Sequence, residues 1–306
     1  MSTFLVTGGA GFIGSHIAER LLERRQHVRV LDNFSTGKRQ NISRFAVKVE
    51  VIEADVRDLG AVEKAMEGTD CCFHEAALGS VPRSIKDPRE SMDVNVKGTL
   101  NVLVSARNNR RTRVVYAGSS SVYGSNPVMP RVETLVPEPV SPYALSKLIG
   151  EYYCILFNRE FGVPVVALRY FNVFGGRQDA DSPYAAVVPR FLDAIRRGKR
   201  PVIYGDGCQT RDFTHVDNVI DANLLAWNNL KAEGEVFNIG CGKQTSVNEL
   251  LSTLGRIMGV EVSPVHEKQR KGDPRRSCAG IEKARDVMGY EPGVSLVEGL
   301  KKLINE

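Results

Sequence analysis

The stretch TFLVTGGAGFIGSHIAERLLERR, residues 3–25, decides the fold of this chain. Its apolar start at residues 4–6 predicts a buried strand, and the apolar residues that recur at helical spacing from Ile13 onward predict a helix. Glycines fill the loop between the two elements. A strand, a glycine-rich loop and a helix in this order are typical of the first unit of a parallel α/β sheet that binds a phosphate-containing ligand.

The glycines of this loop follow two phosphate-binding spacings at once. Gly9, Gly11 and Gly14 fit G-x-G-x-x-G, whereas Gly8, Gly11 and Gly14 fit G-x-x-G-x-x-G. Both spacings allow a tight turn, a close approach of the backbone to a pyrophosphate and close packing of the helix on the strand. The free N–H groups at the start of the helix would then face the phosphates. The stretch therefore predicts a dinucleotide site.

A carboxylate at the end of the second predicted strand narrows the choice of dinucleotide. Residues 28–31 form this strand, and Asp32 follows it, eighteen residues after Gly14. A carboxylate at this position accepts hydrogen bonds from the adenosine ribose, and its charge repels a 2′-phosphate. Asp32 therefore predicts NAD, while the nearby cations Lys38 and Arg39 keep NADP open as the alternative.

Strand and helix patterns alternate through the first half of the chain. Further strands are predicted at residues 49–52, 71–74, 114–117 and within 163–175, with a helix over about 88–108. This alternation predicts an α/β fold with a Rossmann-type, doubly wound parallel sheet and right-handed crossovers.

The pattern loosens in the second half of the chain. Residues 202–215 look like a short hairpin, and residues 235–240 are expected to return to the sheet. We therefore expect an NAD-binding domain over residues 1–175 and a smaller C-terminal α/β substrate-binding region over residues 176–306, with the two interleaved.

The stretch SPYALSK, residues 141–147, supplies a candidate proton-transfer pair. In a helix, Tyr143 and Lys147 lie one turn apart on the same face. A neighbouring ammonium favours the phenolate, so we expect Lys147 to bring the pKa of Tyr143 from about 10 toward neutrality. Tyr143 would then exchange a proton with a substrate hydroxyl at working pH.

The composition is that of an ordinary globular enzyme: 306 residues, 42% hydrophobic and 25% charged, with a net charge of +5. The charge suits an anionic ligand, but no dense Lys/Arg block interleaved with aromatic residues points to nucleic acid. The six cysteines lack zinc-site spacing and fit a reducing compartment. The sequence carries no signal-peptide pattern and no apolar run of membrane-spanning length. We expect a cytoplasmic protein without metal, nucleic acid or membrane as partners.

Several strings occur together in one order and resemble a known family. They are TGGAGFIG, AALGSVPRS, SSSVYG, SPYALSK, LRYFNVFG, GDGCQTRDF and RKGD. Over essentially its whole length the chain resembles extended short-chain dehydrogenases/reductases, and among them the nucleotide-sugar epimerases, above all UDP-hexose 4-epimerases that act on UDP-N-acetylglucosamine (UDP-GlcNAc). The resemblance implies reversible C4 epimerisation through a 4-keto sugar with tightly bound NAD, in a homodimer.

The resemblance also implies roles for individual residues. Tyr143 would take the proton of the sugar 4-hydroxyl, Lys147 would hold the nicotinamide ribose, and Ser119 would hydrogen-bond O4. The implied NAD contacts are Gly8, Gly11, Phe12, Ile13, Gly14, Asp32, Asn33, Asp55, Val56, Ala76, Ala77, Asn95, Tyr143, Lys147 and Tyr170. The implied substrate contacts are Ser80, Arg83, Ser119, Ser120, Tyr143, Asn172, Val188, Tyr204, Arg211, Arg270, Asp273 and Ser277.

The serines at residues 119–121 separate this chain from related reactions. Sugar-nucleotide 4,6-dehydratases carry an Asp-Glu pair here, and UDP-glucuronate decarboxylases carry a glutamate at the position of Ser121. Additional acid–base steps need such a carboxylate. Its absence favours simple epimerisation.

The preferred sugar depends on a few residues. Arg211 and Arg270 are expected to grip the diphosphate through charge-assisted contacts, and the small Ser277 leaves room for an N-acetyl group, with UDP-GlcNAc and UDP-GalNAc as expected substrates and the plain hexoses UDP-glucose and UDP-galactose accepted as well. Arg83 keeps a UDP-uronate 4-epimerase open as an alternative, as does the third possibility, a catalytically silent NAD-binding sensor. Glu75 departs from the neutral residue usual in the family, and it is either unpaired in the site or turned outward.

Overall fold

The computed structural model describes residues 1–109, 112–179, 185–269 and 274–305. Its strands are β1 (Thr3–Thr7), β2 (His27–Asp32), β3 (Glu50–Glu53), β4 (Cys71–His74), β5 (Arg113–Ser119), β6 (Val165–Tyr170), β7 (Val173–Phe174), β8 (Val202–Tyr204), β9 (Thr210–Arg211), β10 (Thr214–His215), β11 (Val236–Ile239), β12 (Thr245–Ser246) and β13 (Val265–Glu267). Within the described residues, one seven-stranded sheet has the order β11-β6-β5-β4-β1-β2-β3, with every neighbouring pair parallel.

The helices lie on both faces of this sheet and around a smaller C-terminal region. They are α1 (Phe12–Glu23), α2 (Arg39–Ile42), α3 (Leu59–Met66), α4 (Val81–Lys86), α5 (Pro88–Met92), α6 (Gly98–Asn108), α7 (Pro142–Phe161), α8 (Val187–Arg196), α9 (Val216–Asn228), α10 (Val247–Met258), α11 (Glu282–Met288) and α12 (Leu296–Asn305). A π-helical turn, Asp93–Lys97, joins α5 to α6. No helix in the described parts of the chain is both long and apolar enough to cross a membrane.

Alternate residues of each central strand enter different cores, which makes the sheet doubly wound. In β1, Phe4 and Val6 pack in the core that α1 and α9 cover, whereas Leu5 packs in the core that contains residues of α3, α6 and α7. Cys71 and Cys72 of β4 divide between the two cores in the same way. Strands buried on both faces read as continuous apolar runs, as parallel strands do. The predicted fold class is confirmed.

The second half of the chain contributes to both regions. Strand β11 pairs with β6, so the predicted return of residues 235–240 to the sheet is confirmed. Helix α9 also packs against β5 and β6. The domain boundary near residue 175 stays a prediction, since elements on both sides of it build the large sheet.

The hairpin predicted over residues 202–215 is wrong. Strand β8 pairs in parallel with β13, and β9 pairs antiparallel with β12. Gly205 and Gly207 between β8 and β9 have φ angles of +83° and +75° and separate the two strands. Strands of two or three residues carry too little pattern to specify their own partner, so segments distant in sequence supplied it.

Candidate active site

The glycine loop leaves its backbone open at the start of α1. Gly8 has a φ of +67°, and a Cβ there would lie 2.7 Å from the nitrogen of Ala76, while a Cβ on Gly14 would collide with the Gly8 carbonyl oxygen. Gly11 is the N-cap of α1 and provides no side-chain cap. The first N–H groups of the helix therefore remain available, as an anion site requires.

Asp32 lies at the end of β2, beside this loop. Its carboxylate accepts hydrogen bonds from the backbone nitrogens of Ala10 (2.9 Å) and Phe34 (2.8 Å). Burial raises the pKa of Asp32, and the two backbone hydrogen bonds act in the opposite direction. Each carboxylate oxygen still has capacity for a further donor, such as a ribose hydroxyl.

The two cations that kept NADP open are engaged elsewhere. The ammonium of Lys38 lies 2.8 Å from Asp179, and the guanidinium of Arg39 lies 2.5 Å from Glu53. A 2′-phosphate near Asp32 would therefore meet one unfavourable carboxylate and two cations that already have acidic partners. This arrangement favours NAD.

One cavity of about 830 Å³ runs from the glycine loop to the C-terminal region. This volume lies within the range of small-molecule sites. The predicted residues that line it are Gly8, Gly11, Phe12, Ile13, Gly14, Ala77, Ser80, Arg83, Ser119, Ser120, Tyr143, Tyr170, Asn172, Arg211 and Ser277. Residues from distant parts of the sequence are thus brought to a single pocket, at the carboxyl ends of the parallel strands, where open α/β sheets bind ligands.

Tyr143 lies in the first turn of α7, whose start is well defined. The Ser141 hydroxyl caps the helix by accepting from the nitrogen of Ala144 (3.1 Å), and the nitrogen of Tyr143 donates to the Ser84 hydroxyl (3.0 Å). Burial raises the pKa of Tyr143, and a hydrogen bond with Ser119 lowers it in part. The phenol therefore faces the serine that the sequence predicted as its partner.

The expectation that Lys147 brings the pKa of Tyr143 toward neutrality is wrong for the chain by itself. The Lys147 ammonium donates to the carbonyl oxygen of Ala117 at 2.8 Å, and the net pKa of Tyr143 is raised. Helical spacing places the two residues on one face but does not direct the long lysine side chain, which reaches past the phenol to the sheet. Two donors of the ammonium remain for a ligand.

The three serines of residues 119–121 form a directed hydrogen-bond arrangement. Both the nitrogen and the hydroxyl of Ser121 donate to the Ser119 hydroxyl oxygen, at 3.2 and 2.9 Å. With its acceptor positions occupied, the Ser119 hydroxyl has its own proton left to donate. Ser119 can therefore donate toward Tyr143 or toward a substrate oxygen beside it.

Glu75 points into the pocket rather than outward. Its carboxylate accepts a hydrogen bond from the Tyr170 hydroxyl at 2.8 Å, and it lines the cavity. Burial raises the pKa of Glu75, while the Tyr170 hydrogen bond and the positive charge of Lys147 lower it. Of the two alternatives from the sequence, the outward orientation is wrong, and the carboxylate in the site has a partner.

The opposite wall presents the predicted sugar and diphosphate contacts. Arg83 donates to both oxygens of Glu90, at 3.2 and 3.1 Å, and Ser80 caps α4 by accepting from the nitrogen of Arg83. Arg211 is largely buried and donates to the carbonyl of Thr210. The backbone nitrogen of Ser277 donates to the same carbonyl at 3.2 Å, which joins these two predicted contacts at one point of the wall.

A family model described as the NAD dependent epimerase/dehydratase family matches residues 4–240. The match includes both the glycine loop and the Tyr143 helix. The chain belongs to this family.

Relatives of this family member have names that span several UDP-sugars. UDP-glucose 4-epimerase of Mycolicibacterium smegmatis is 37% identical over 98% of this chain and 96% of its own length. A solved structure of UDP-N-acetylglucosamine 4-epimerase from Methanobrevibacter ruminantium, in complex with UDP-N-acetylmuramic acid, is 38% identical with a TM-score of 0.95 over 99% of this chain and 97% of that one. UDP-glucuronic acid 4-epimerase from Bacillus cereus, with UDP-glucuronic acid and NAD, is 34% identical with a TM-score of 0.91 over 99% and 98%.

Family membership confirms the predicted enzyme class, an NAD-dependent nucleotide-sugar epimerase, and the predicted cofactor, NAD. The residues present fit this cofactor. The crowded glycines leave room only for backbone near a pyrophosphate, α1 offers uncapped N–H groups, and Asp32 stands at the ribose position.

The adenosine end of the site in this epimerase has its predicted residues on neighbouring strand ends. Asn33 follows β2 and donates to Asp55 after β3 at 2.7 Å. An Arg57 hydrogen bond lowers the pKa of Asp55 to about 2, so its carboxylate is ionised. Val56 is buried in the core and Ala76 packs against Gly8, so each offers backbone rather than side chain to a ligand.

Three predicted contacts in the epimerase take other places. Val188 is buried in the core of the smaller region, since the first turn of α8 packs inward, and Tyr204 lies against Arg190. Asn95 is also buried, with its amide bonded to Leu78 and Ser146, so it holds the loop after β4 instead of touching a ligand. These three predictions of direct contact are wrong for the described structure. Arg270 and Asp273 lie outside the described residues.

Sequence reasoning missed Arg131, a buried arginine at the pocket wall of the epimerase. Its guanidinium donates to the carbonyl of Gly124 at 3.3 Å and lies 5.6 Å from the ring centre of Tyr123. Its backbone nitrogen donates to Cys278, one residue from Ser277. No local signal marks an arginine in a proline-rich loop, because only this long-range pairing brings it to the pocket.

Proposed function

We propose that this enzyme interconverts UDP-GlcNAc and UDP-GalNAc at C4, and that it also accepts UDP-glucose and UDP-galactose. The observation that carries the proposal is the small side chain of Ser277 on the wall of the cavity that also contains Tyr143 and Ser119. A serine leaves space beside the sugar for an acetamido group, which a large aromatic side chain would fill.

The chain's own residues divide the chemistry between them. Tyr143 takes the proton of the 4-hydroxyl as the 4-keto sugar forms and returns it when the inverted alcohol forms. Ser119, held by Ser121, donates to the same oxygen and stabilises its developing charge. Lys147 keeps two ammonium donors for the cofactor ribose after its bond to Ala117. NAD, when bound, accepts the C4 hydride and gives it back, so no net redox change occurs.

The diphosphate of the substrate is proposed to lie toward Arg211 and Asn172. The Asn172 amide donates to the carbonyl of Asp212 at 3.3 Å, and the φ of Asn172 is +32°, a strained value for an asparagine. Such strain at a pocket wall is typical of functional positions. The 4-keto sugar would then turn about its diphosphate and present the opposite face for hydride return.

A UDP-uronate 4-epimerase is the second candidate, since a relative of that specificity exists. The feature that suggested it was Arg83 near the hexose. In the structure Arg83 is paired with Glu90 through both carboxylate oxygens. A sugar carboxylate would have to compete with this partner, which supports a neutral hexose at that wall. The sensor alternative loses support because Tyr143 and Lys147 are both at the pocket.

A homodimer through α7 is part of the proposal. Leu145, Tyr152 and Leu156 are 44%, 53% and 38% exposed and follow one another at intervals of seven and four residues. They therefore form one apolar stripe on the helix face opposite Tyr143 and Lys147. A second copy of this helix is the proposed occupant. The six cysteines lack disulfides, which supports a cytoplasmic location.

The test offers UDP-GlcNAc, UDP-glucose and UDP-glucuronate side by side and follows the C4 product of each by NMR. We expect turnover of the first two and little of the third. The variant Ser277→Tyr should lower kcat/KM for UDP-GlcNAc by about tenfold or more, because an overpacked pocket costs about 1–3 kcal/mol, and should leave UDP-glucose nearly unchanged. Ser277→Ala is the matched control. Equal losses on both sugars would contradict the proposed specificity.

A further inference from the structure

Glu75 occupies a fixed place at the carboxyl edge of the large sheet. It follows β4, in which His74 pairs with Tyr116 of β5. The register therefore puts Glu75 next to Ala117, and neighbouring strands are about 4.8 Å apart. The carbonyl of Ala117 is the acceptor of the Lys147 ammonium. Glu75 and Lys147 thus meet above the same strand end.

The carboxylate of Glu75 is held across three strands. Tyr170, the last residue of β6, donates its hydroxyl to Glu75 at 2.8 Å, and the Asn223 amide donates to that hydroxyl at 2.8 Å. Because β5 lies between β4 and β6, the Glu75–Tyr170 hydrogen bond spans the end of β5. This anchor prevents the glutamate from turning outward to solvent.

The other titratable groups around this point stay neutral near pH 7. Burial lowers the pKa of His74 to about 3, and burial raises the pKa of the Cys72 and Cys154 thiols. Burial also raises the pKa of the phenols of Tyr116 and Tyr170, on β5 and β6, and of Tyr143 on α7. Among the described residues at this strand end, Glu75 and Lys147 are the groups able to carry charge.

Lys147 needs such a counter-charge. It is 5% exposed, and burial lowers its pKa, while the carboxylate of Glu75 raises it again. A neutral amine at this place would have fewer protons to donate and no positive charge to offer the site. A buried ammonium without an anion nearby shifts toward its neutral form.

We propose that Glu75 is a positioning residue of this active site, whose carboxylate keeps Lys147 protonated and draws its free protons toward the pocket. The catalytic consequence rests on the proposed role of Lys147. The charge relation itself does not, since it is a property of the chain without cofactor or substrate.

The direct test is the titration of Lys147 in protein labelled with ¹³C at lysine Cε. The signal that is absent from Lys147→Met is followed with pH in the parent and in Glu75→Gln, which keeps the size and the acceptor for Tyr170. We expect the titration midpoint of Lys147 to fall by about one pH unit or more in Glu75→Gln. The control is Glu133→Gln, since Glu133 is also a partly buried carboxyl, bonded to the nitrogen of Asn238. An unmoved midpoint in Glu75→Gln overturns the proposal.

A second measurement separates this proposal from the role of Lys147 in catalysis. The alkaline limb of the kcat profile should move to lower pH in Glu75→Gln by the same amount as the NMR midpoint, and Glu75→Asp should restore part of the shift. Lower kcat at every pH with an unmoved limb overturns the positioning role. A moved midpoint with an unmoved limb contradicts the proposed function of Lys147 instead, while it supports its protonation by Glu75.

Discussion

Consecutive turns of helix α7 put the same kinds of side chain to opposite uses. Tyr143, Lys147 and Glu151 are four residues apart and face the sheet. Lys147 lies at the pocket, where its ammonium bonds a carbonyl and its counter-charge, Glu75, is anchored by Tyr170. One turn later, Glu151 is closed by two hydrogen bonds of 2.6 and 2.8 Å to Arg169 and is 1% exposed.

The difference shows what makes a buried charge functional. In the Glu151–Arg169 pair the fork of the guanidinium matches both carboxylate oxygens, and its remaining donor bonds the Tyr123 hydroxyl at 2.7 Å. Nothing is left for a ligand, so the pair serves the fold. At Lys147 the partners satisfy each charge only in part, and the unused donors face a cavity at the carboxyl ends of the strands. Breaking either end of this comparison gives distinct results.

The largest effect is expected at the pocket end. Tyr143→Phe should reduce kcat by about 100- to 10,000-fold, because the general acid–base group is lost, and should change the free energy of unfolding by no more than about 1 kcal/mol. Epimerisation followed by NMR and chemical unfolding of the same preparation check both. Tyr153→Phe on the same helix is the control. Activity near that of the parent would exclude Tyr143 as the proton-transfer residue.

The next effect is expected one turn away. Glu151→Ala leaves Arg169 buried without its anion, so the free energy of unfolding should fall by about 3–5 kcal/mol. Denaturant unfolding measures the fall, and the exposed Glu160 supplies the control Glu160→Ala, for which a change of about 0.5 kcal/mol or less is expected. Folded Glu151→Ala should keep its turnover number. A loss of stability no greater than that of the control would show that the pair is not structural.

The smallest effect on the monomer is expected on the opposite face of α7. Tyr152→Ser should change the stability of the protomer by about 0.5 kcal/mol or less but weaken self-association, because it removes the most exposed side chain of the apolar stripe. Sedimentation velocity over a range of concentrations measures it. Val136→Ser, at an exposed valine outside α7, is the control. Identical association of the two variants would place the dimer interface elsewhere.

Much of the site was predictable because its signals are local. The glycine loop, Asp32, the serines of residues 119–121 and the pair Tyr143 and Lys147 each depend on spacing within one strand–loop–helix unit. The structure brings them to one pocket because the carboxyl ends of parallel strands meet at one edge. Specificity was harder to predict, because Val188 and Tyr204 depend on how short strands and helices pack in the smaller region.

By itself the sequence determined the fold class, the cofactor and the proton-transfer pair, since apolar periodicity, glycine spacing and helical spacing act over a few residues. Only the tertiary structure decided what each charge does. It turned Lys147 to Ala117, paired Arg83 with Glu90, brought Arg131 beside the Ser277 wall and held Glu75 inside the pocket. The physical reason is that the ionisation and direction of a buried side chain depend on burial and on partners across strands, which no local pattern encodes.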